Sequence, residues 1–130
     1  MNRLFIYGTL MPGLRLEVEM QGARFVGAAQ VHGRLVDVGR YPGYQSGEGL
    51  VTGEVYEVDD AHLVRLDGLE GVVPGDRDAS QYWREEVIVL SGALQGQRVQ
   101  TYVYNRPTDG CTPIPHGDYR RYIREVGRDS

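Results

Sequence analysis

Leu50-Val51-Thr52-Gly53-Glu54-Val55-Tyr56-Glu57-Val58-Asp59-Asp60-Ala61-His62-Leu63-Val64-Arg65-Leu66-Asp67-Gly68-Leu69-Glu70 is the stretch on which the fold turns. Its first half alternates. Val51, Val55 and Glu57 share one parity, and Thr52, Glu54, Tyr56 and Val58 the other, which predicts a strand over 50–58 with Gly53 inside it. The period then changes. Asp59 or Asp60 can cap a helix N-terminus, and Leu63 and Leu66 lie three apart, which predicts a helix over 61–70. A strand passing directly into a helix, in a chain otherwise rich in strand patterns, implies an α+β architecture with a curled mixed or antiparallel sheet.

Working outward, the rest of the chain has the same character. Leu4 to Tyr7 reads as a first strand that stops at Gly8. Met11-Pro12-Gly13 is a turn, and Leu14 to Gln21 is read as a short helix. Arg24 to Asp37 is a strand region with Gly27 and Gly33 as bulges or bends. Tyr41-Pro42-Gly43-Tyr44 is read as a turn. Tyr82 to Leu90 and Arg98 to Tyr104 are strands joined by the Gly-containing loop 91–97. The three prolines Pro107, Pro113 and Pro115 make 106–117 a loop. Asp118 then caps a last helix carrying Tyr119, Tyr122, Ile123 and Val126.

Composition bounds the function. The 130 residues suit one domain, expected over 1–130, large enough to bury a core without disulfides. The 14 basic residues against 18 acidic ones leave a net charge of -4, which argues against a nucleic-acid binder. Every basic residue is Arg, so a phosphate loop or a Schiff base that needs Lys is excluded. The single Cys111 excludes an internal disulfide and a cysteine-rich zinc site. No run approaches the length of a membrane span, and Met1 to Tyr7 reaches Gly8 too soon for a signal peptide. A reducing cytoplasmic setting is the expectation.

Two places could carry chemistry. Helical spacing puts Leu63, Leu66 and Glu70 on one stripe. If that stripe faces the core, Glu70 points inward at a helix C-terminus, where low dielectric and the helix dipole both oppose its ionisation. Such a carboxyl suits proton transfer near neutral pH. If the helix instead ends before Gly68, Glu70 lies on a solvated turn. At Tyr7-Gly8-Thr9-Leu10, a strand ending in Gly and Thr either turns in an ordinary way or aims successive backbone N–H groups at one point, as an anion or carbonyl site requires. His32, His62 and His116 have no metal-ligand spacing and are read as surface or structural residues. Cys111 and His116 share a loop, but nothing orients them as nucleophile and base.

The whole pattern resembles the γ-glutamylcyclotransferase-like family. The resemblance runs through Ile6-Tyr7-Gly8-Thr9-Leu10, Met11-Pro12-Gly13, Gly33-Arg34-Leu35 and Tyr41-Pro42-Gly43. It continues through Gly53-Glu54-Val55-Tyr56-Glu57-Val58, Leu66-Asp67-Gly68-Leu69-Glu70-Gly71, Tyr82, Arg84, Tyr102-Val103-Tyr104 and Gly117-Asp118-Tyr119. Leu69 is a departure, since an aromatic is common there in the family. The resemblance implies a small barrel-like α+β fold around a central cavity. It implies cleavage of γ-glutamyl amides by cyclisation to 5-oxoproline, with Glu70 moving the proton and with no metal or cofactor. The backbone of Tyr7, Gly8, Thr9 and Leu10 would hold the γ-glutamyl unit, with Tyr82 and Tyr104 near the cavity and Arg84 paired with an acid in the wall. The partner implied is a small-molecule γ-glutamyl substrate, neither nucleic acid nor membrane; oligomeric state and leaving amine stay open. A competing reading on the same fold is a non-catalytic module that binds a small acidic metabolite.

Overall fold

The computed structural model describes residues 1–128; positions 129 and 130 of the domain expected over 1–130 lie outside them. Six strands are present: β1 (Asn2–Ile6), β2 (Arg24–Asp37), β3 (Pro42–Val58), β4 (Tyr82–Ile88), β5 (Arg98–Tyr104) and β6 (Thr112–Ile114). They form one sheet in the order β4-β5-β1-β3-β2-β6. All neighbours are antiparallel except β1 and β5, which run parallel. The long β2–β3 hairpin is its spine, paired from Arg24 opposite Glu57 to Asp37 opposite Pro42. Strand twist curls the sheet until its β4 end approaches β2. There the Leu90 N–H donates to the Gln30 carbonyl at 2.8 Å, and Ser91 Oγ donates to Gln30 Oε1 at 3.3 Å. The result is an α+β half-barrel.

The inner face holds one continuous core, in which Leu4, Phe5, Val31, Leu35, Val51, Val55, Leu66, Ile114 and Tyr119 are buried. Gly53 lies on the inward parity with Val51 and Val55 for a steric reason. A Cβ there would collide with the Ile6 carbonyl oxygen and reach the Phe5 ring at 2.8 Å. Glycine thus lets the end of β1 cross close over β3, and the chain then turns off into the loop at Gly8.

The pairing of β2 slips between Phe25 and Gly27 and again between His32 and Arg34, so Gly27 and Gly33 do mark irregularities. Three expectations are corrected. The segment Tyr41–Tyr44 is strand from Pro42 on; the turn falls one step earlier, where the Val38 N–H bonds the Tyr41 carbonyl at 3.0 Å. β3 therefore has 17 residues. Its register jumps from Leu50 opposite His32 to Gln45 opposite Arg34, throwing residues 46–49 out of the ladder and hiding the alternation. The segment 14–21 is no α-helix. Its backbone bonds run three residues back, as in Glu17 to Leu14 and Glu19 to Leu16, and only Glu17–Met20 forms a 3₁₀ turn. The loop 106–117 contains β6, which pairs on the β2 edge; Pro113 is tolerated because an edge strand has donors to spare.

The helices behave as expected. Asp59 is the cap of α1 (Asp60–Leu69), accepting from the His62 amide at 2.7 Å. Asp118 caps α2 (Tyr119–Glu125), accepting from the Arg121 amide at 3.2 Å. Among the described residues, no helix is long and apolar enough to cross a membrane.

Candidate active site

The C-terminus of α1 decides where Glu70 points. Leu63 and Leu66 are buried, so the stripe faces the core. The Glu70 amide still bonds the Leu66 carbonyl at 2.9 Å, and helical bonding therefore continues past Gly68. Gly71 then takes a left-handed φ of 73°. Its N–H bonds the Gly68 carbonyl at 3.2 Å, and the Val72 N–H bonds the Asp67 carbonyl at 2.9 Å. Those two bonds are a Schellman closure. It holds Glu70 as the C-cap that follows Leu69, with its side chain on the inward stripe. The carboxyl lines a cavity and is enclosed by protein, while the residue as a whole keeps some solvent contact through the open side. Burial, and then the nearby Asp67 charge, push its pKa up from 4.5 to about 7.

Asp67 is itself tied down. Arg84 clasps it from β4, with Nε to Oδ1 at 2.7 Å and a terminal nitrogen to Oδ2 at 3.0 Å. The Tyr102 hydroxyl donates to Oδ1 at 2.6 Å. The helix end is thereby fixed to two strands, and Arg84 has the acidic partner expected of it.

The opposite wall is the loop leaving β1. Tyr7, Gly8, Thr9 and Leu10 are all buried and line the same cavity as Glu70. The loop is closed by Met11 N–H to the Gly8 carbonyl at 3.0 Å and Leu16 N–H to the Thr9 carbonyl at 2.8 Å. Among the described residues, the amides of Gly8, Thr9 and Leu10 donate to no protein acceptor. Buried amides are almost always paired. Three successive unpaired ones beside a cavity are the kind of donor set that an anion or carbonyl site requires. Gly8 is required here by space: a Cβ would come within 2.6 Å of the Pro42 ring. Its φ is not positive, so the additional backbone constraint that a strand-ending glycine suggests does not operate.

Tyrosines brace the floor. Tyr7 Oη donates to the Tyr102 carbonyl at 2.6 Å and accepts from the Tyr44 amide at 3.3 Å. Tyr82 Oη donates to the Pro42 carbonyl at 2.8 Å. Burial raises the pKa of Tyr7, Tyr82 and Tyr102, so these phenols stay neutral donors. Tyr82 lines the cavity. Tyr104 does not: it stands behind, edge-on to Tyr82 with ring centroids 5.2 Å apart, and packs against Gly43.

The site has two chambers. The inner one, about 30 Å³ in volume, lies between Glu70, the Tyr7–Leu10 loop and the tyrosines. The outer one, about 230 Å³, shares Thr9, Tyr41, Glu70 and Tyr82 with it and adds Arg15, Leu16, Leu69 and Gln81. The sequence patterns did not single out Tyr41, Pro42 and Tyr102 as lining residues, nor any of these outer four. One signal was available: Gly71 immediately after Glu70 is a helix stop, and it would have settled which way the carboxylate faces.

Of the three histidines, His32 is exposed, while His62 and His116 have structural partners. His62 Nε2 lies 2.7 Å from the Glu19 carbonyl. His116 bonds Glu125 through Nε2 at 2.8 Å and accepts from the Asp118 amide at Nδ1, so neither nitrogen is left for Cys111.

Known proteins share this shape and this chain pattern. The crystal structure of an AIG2-like protein from Mus musculus matches with a TM-score of 0.77 at 26% identity, over 100% of this chain and 95% of that one. The family model of γ-glutamyl cyclotransferase, AIG2-like, matches residues 4–121, and the chain belongs to that family. It is 33% identical over 118 residues to the γ-glutamylcyclotransferase family protein YtfP of Escherichia coli K12, covering 90% of this chain and 95% of the relative. It is 37% identical over 126 residues to the γ-L-glutamyl-butirosin B γ-glutamyl cyclotransferase of Niallia circulans, covering 94% of this chain and 78% of that protein.

Proposed function

We propose that this chain is a cyclotransferase that converts a γ-glutamyl amide to 5-oxoproline and a free amine or amino acid. The observation that carries the reading is the pairing of the three unpartnered amides, Gly8 to Leu10, with the protonatable Glu70 across one cavity. The glutamyl unit sits in the inner chamber. Its α-amine attacks its own γ-carbonyl; the new C–N bond closes a five-membered ring, and the original amide C–N bond breaks. Glu70 takes a proton from the attacking nitrogen and returns it to the leaving one. A carboxyl with a pKa of about 7 can do both near neutrality. The loop amides provide the donors for charge that builds on the substrate oxygens. Nucleophile and electrophile arrive in one molecule, so holding the folded conformer can supply up to roughly 7–11 kcal/mol. The residues in play need neither metal nor cofactor for these steps. The single free thiol, Cys111, fits a reducing cytoplasmic setting.

The test is a panel of γ-glutamyl compounds with detection of 5-oxoproline, run on the wild type and on Glu70→Gln. Proton transfer is worth about 10²–10⁴-fold, so the variant should lose at least about 10²-fold. A variant with the wild-type rate removes Glu70 from the mechanism. Binding without release from any member of the panel would instead favour a metabolite-binding module.

A further inference from the structure

The outer chamber differs in chemistry from the inner one. Along both, among the described residues, only Glu70 and Arg15 carry ionisable charge groups other than phenols, and Arg15 lines the outer chamber alone. Its backbone is fixed by the neighbouring bond from the Leu16 amide to the Thr9 carbonyl. Its guanidinium reaches across to the Arg40 carbonyl at 3.2 Å, next to Tyr41, which lines both chambers. One donor of the fork is thereby used. Among the described residues, no carboxylate lies within 4.0 Å of the remainder. Among the described residues, eight of the 14 arginines have an acidic partner within that distance, and Arg15 is one of the six that do not. Leu16 and Leu69 also line this chamber.

We infer that Arg15 is a specificity-determining residue that reads a carboxylate on the leaving half of the substrate, so that the amine released is an amino acid or short peptide and not a diamine. The inference rests on the cyclotransferase reading and deepens it. The inner chamber already offers the loop amides for the glutamyl unit, and Arg15 does not line it. Whatever lies in the outer chamber is therefore beyond the bond that breaks. A free carboxylate there meets the forked donors of a guanidinium. A cationic amine in the same place meets like charge. Leu16 and Leu69 favour an apolar side chain beside that carboxylate.

The experiment compares γ-glutamyl-leucine with γ-glutamyl-isoamylamide, which is the same molecule without the leaving-group carboxylate. The readout is the ratio of their kcat/KM values, by 5-oxoproline release, in the wild type, Arg15→Gln and Arg15→Lys. A ratio taken within one protein does not depend on how much of it is folded. A charge-assisted hydrogen bond at a partly solvated site is worth about tenfold. The wild type should prefer the leucine compound by about that factor, Arg15→Gln should bring the ratio close to one, and Arg15→Lys should restore part of it. Equal ratios in wild type and Arg15→Gln, or a proportional loss on both compounds, overturn the assignment while leaving the cyclotransferase reading intact. No 5-oxoproline from either compound, while other members of the γ-glutamyl panel release it, overturns the inference alone; none from any member overturns the cyclotransferase reading and the inference with it.

Discussion

Replacing Glu70 by Gln should stabilise the protein by an amount that grows as pH rises above about 4.5 and is complete above pH 7. An unfolded Glu loses its proton near 4.5, whereas the folded carboxyl keeps it until about pH 7. Between those values the native state binds more protons than the unfolded one, so stability falls as pH rises through the window. The gap corresponds, at about 1.36 kcal/mol per pH unit, to about 3 kcal/mol lost in full above pH 7. Water entering through the open side of the cavity lowers this toward about 2 kcal/mol. Gln has the shape of the protonated acid and no charge, so the variant escapes the loss. Urea unfolding of both proteins should give equal stability near pH 4.5 and a gain of about 2–3 kcal/mol for the variant at pH 8. For a chain of this size that is a rise in Tm of roughly 10 °C. A pH-independent difference, or a variant less stable at pH 8, would refute the claim that an enclosed, destabilised carboxylate sits at the end of α1. The same substitution should abolish turnover, so stability and activity would move in opposite directions.

Gly8→Val places atoms against the Pro42 ring and beside the unpaired amides. It should lower stability by about 1–3 kcal/mol from overpacking and eliminate ligand binding; a variant that melts and turns over like wild type contradicts the steric reading. Gly71→Ala forces a side chain into a φ of 73° at a cost of about 1 kcal/mol. It should also reduce kcat more than it raises KM, because it disturbs the residue next to Glu70; an unchanged kcat would show that the helix closure does not set the carboxylate. Acetylating the substrate α-amine, or moving the amide to the α-carboxyl, should abolish release of the amine. If blocked substrates react as fast as free ones, the reaction is hydrolysis, with Glu70 activating water.

What the sequence made legible was local. The change of period at Val58 to Leu63 predicts the strand, the Asp cap and the helix, because each depends on neighbours a few residues apart. The direction of Glu70 was half legible: the stripe Leu63, Leu66, Glu70 pointed inward, but the decision lay in Gly71. The first half of β3 was hidden because residues 46–49 leave the ladder and break the alternation. β6 was hidden because three residues with a central proline carry no strand pattern, and the edge of β2 alone makes them one. The cavity was the least legible part. Its walls come from residues as distant as Tyr7 and Tyr102, and no local pattern distinguishes Tyr82, which lines it, from Tyr104, which supports it from behind. Arg15 looked like a residue in a short helix; its role emerges only from the chamber it faces.

The parallel pairing of β1 with β5 has a consequence for how the molecule is made. Leu4 and Phe5 are neighbours of Gln100 and Thr101, and Tyr7 anchors on the Tyr102 carbonyl, 95 residues along the chain. A nascent chain emerging from the ribosome can close the β2–β3 hairpin early, since its partners are adjacent. The loop with the unpaired amides cannot take its shape until β5 has emerged, although it lies among the first ten residues. Non-local closures of this kind slow folding. The earliest-synthesised part of the pocket is thus among the last parts of the molecule to be completed, and a chain stopped short of Tyr104 has a hairpin but no site.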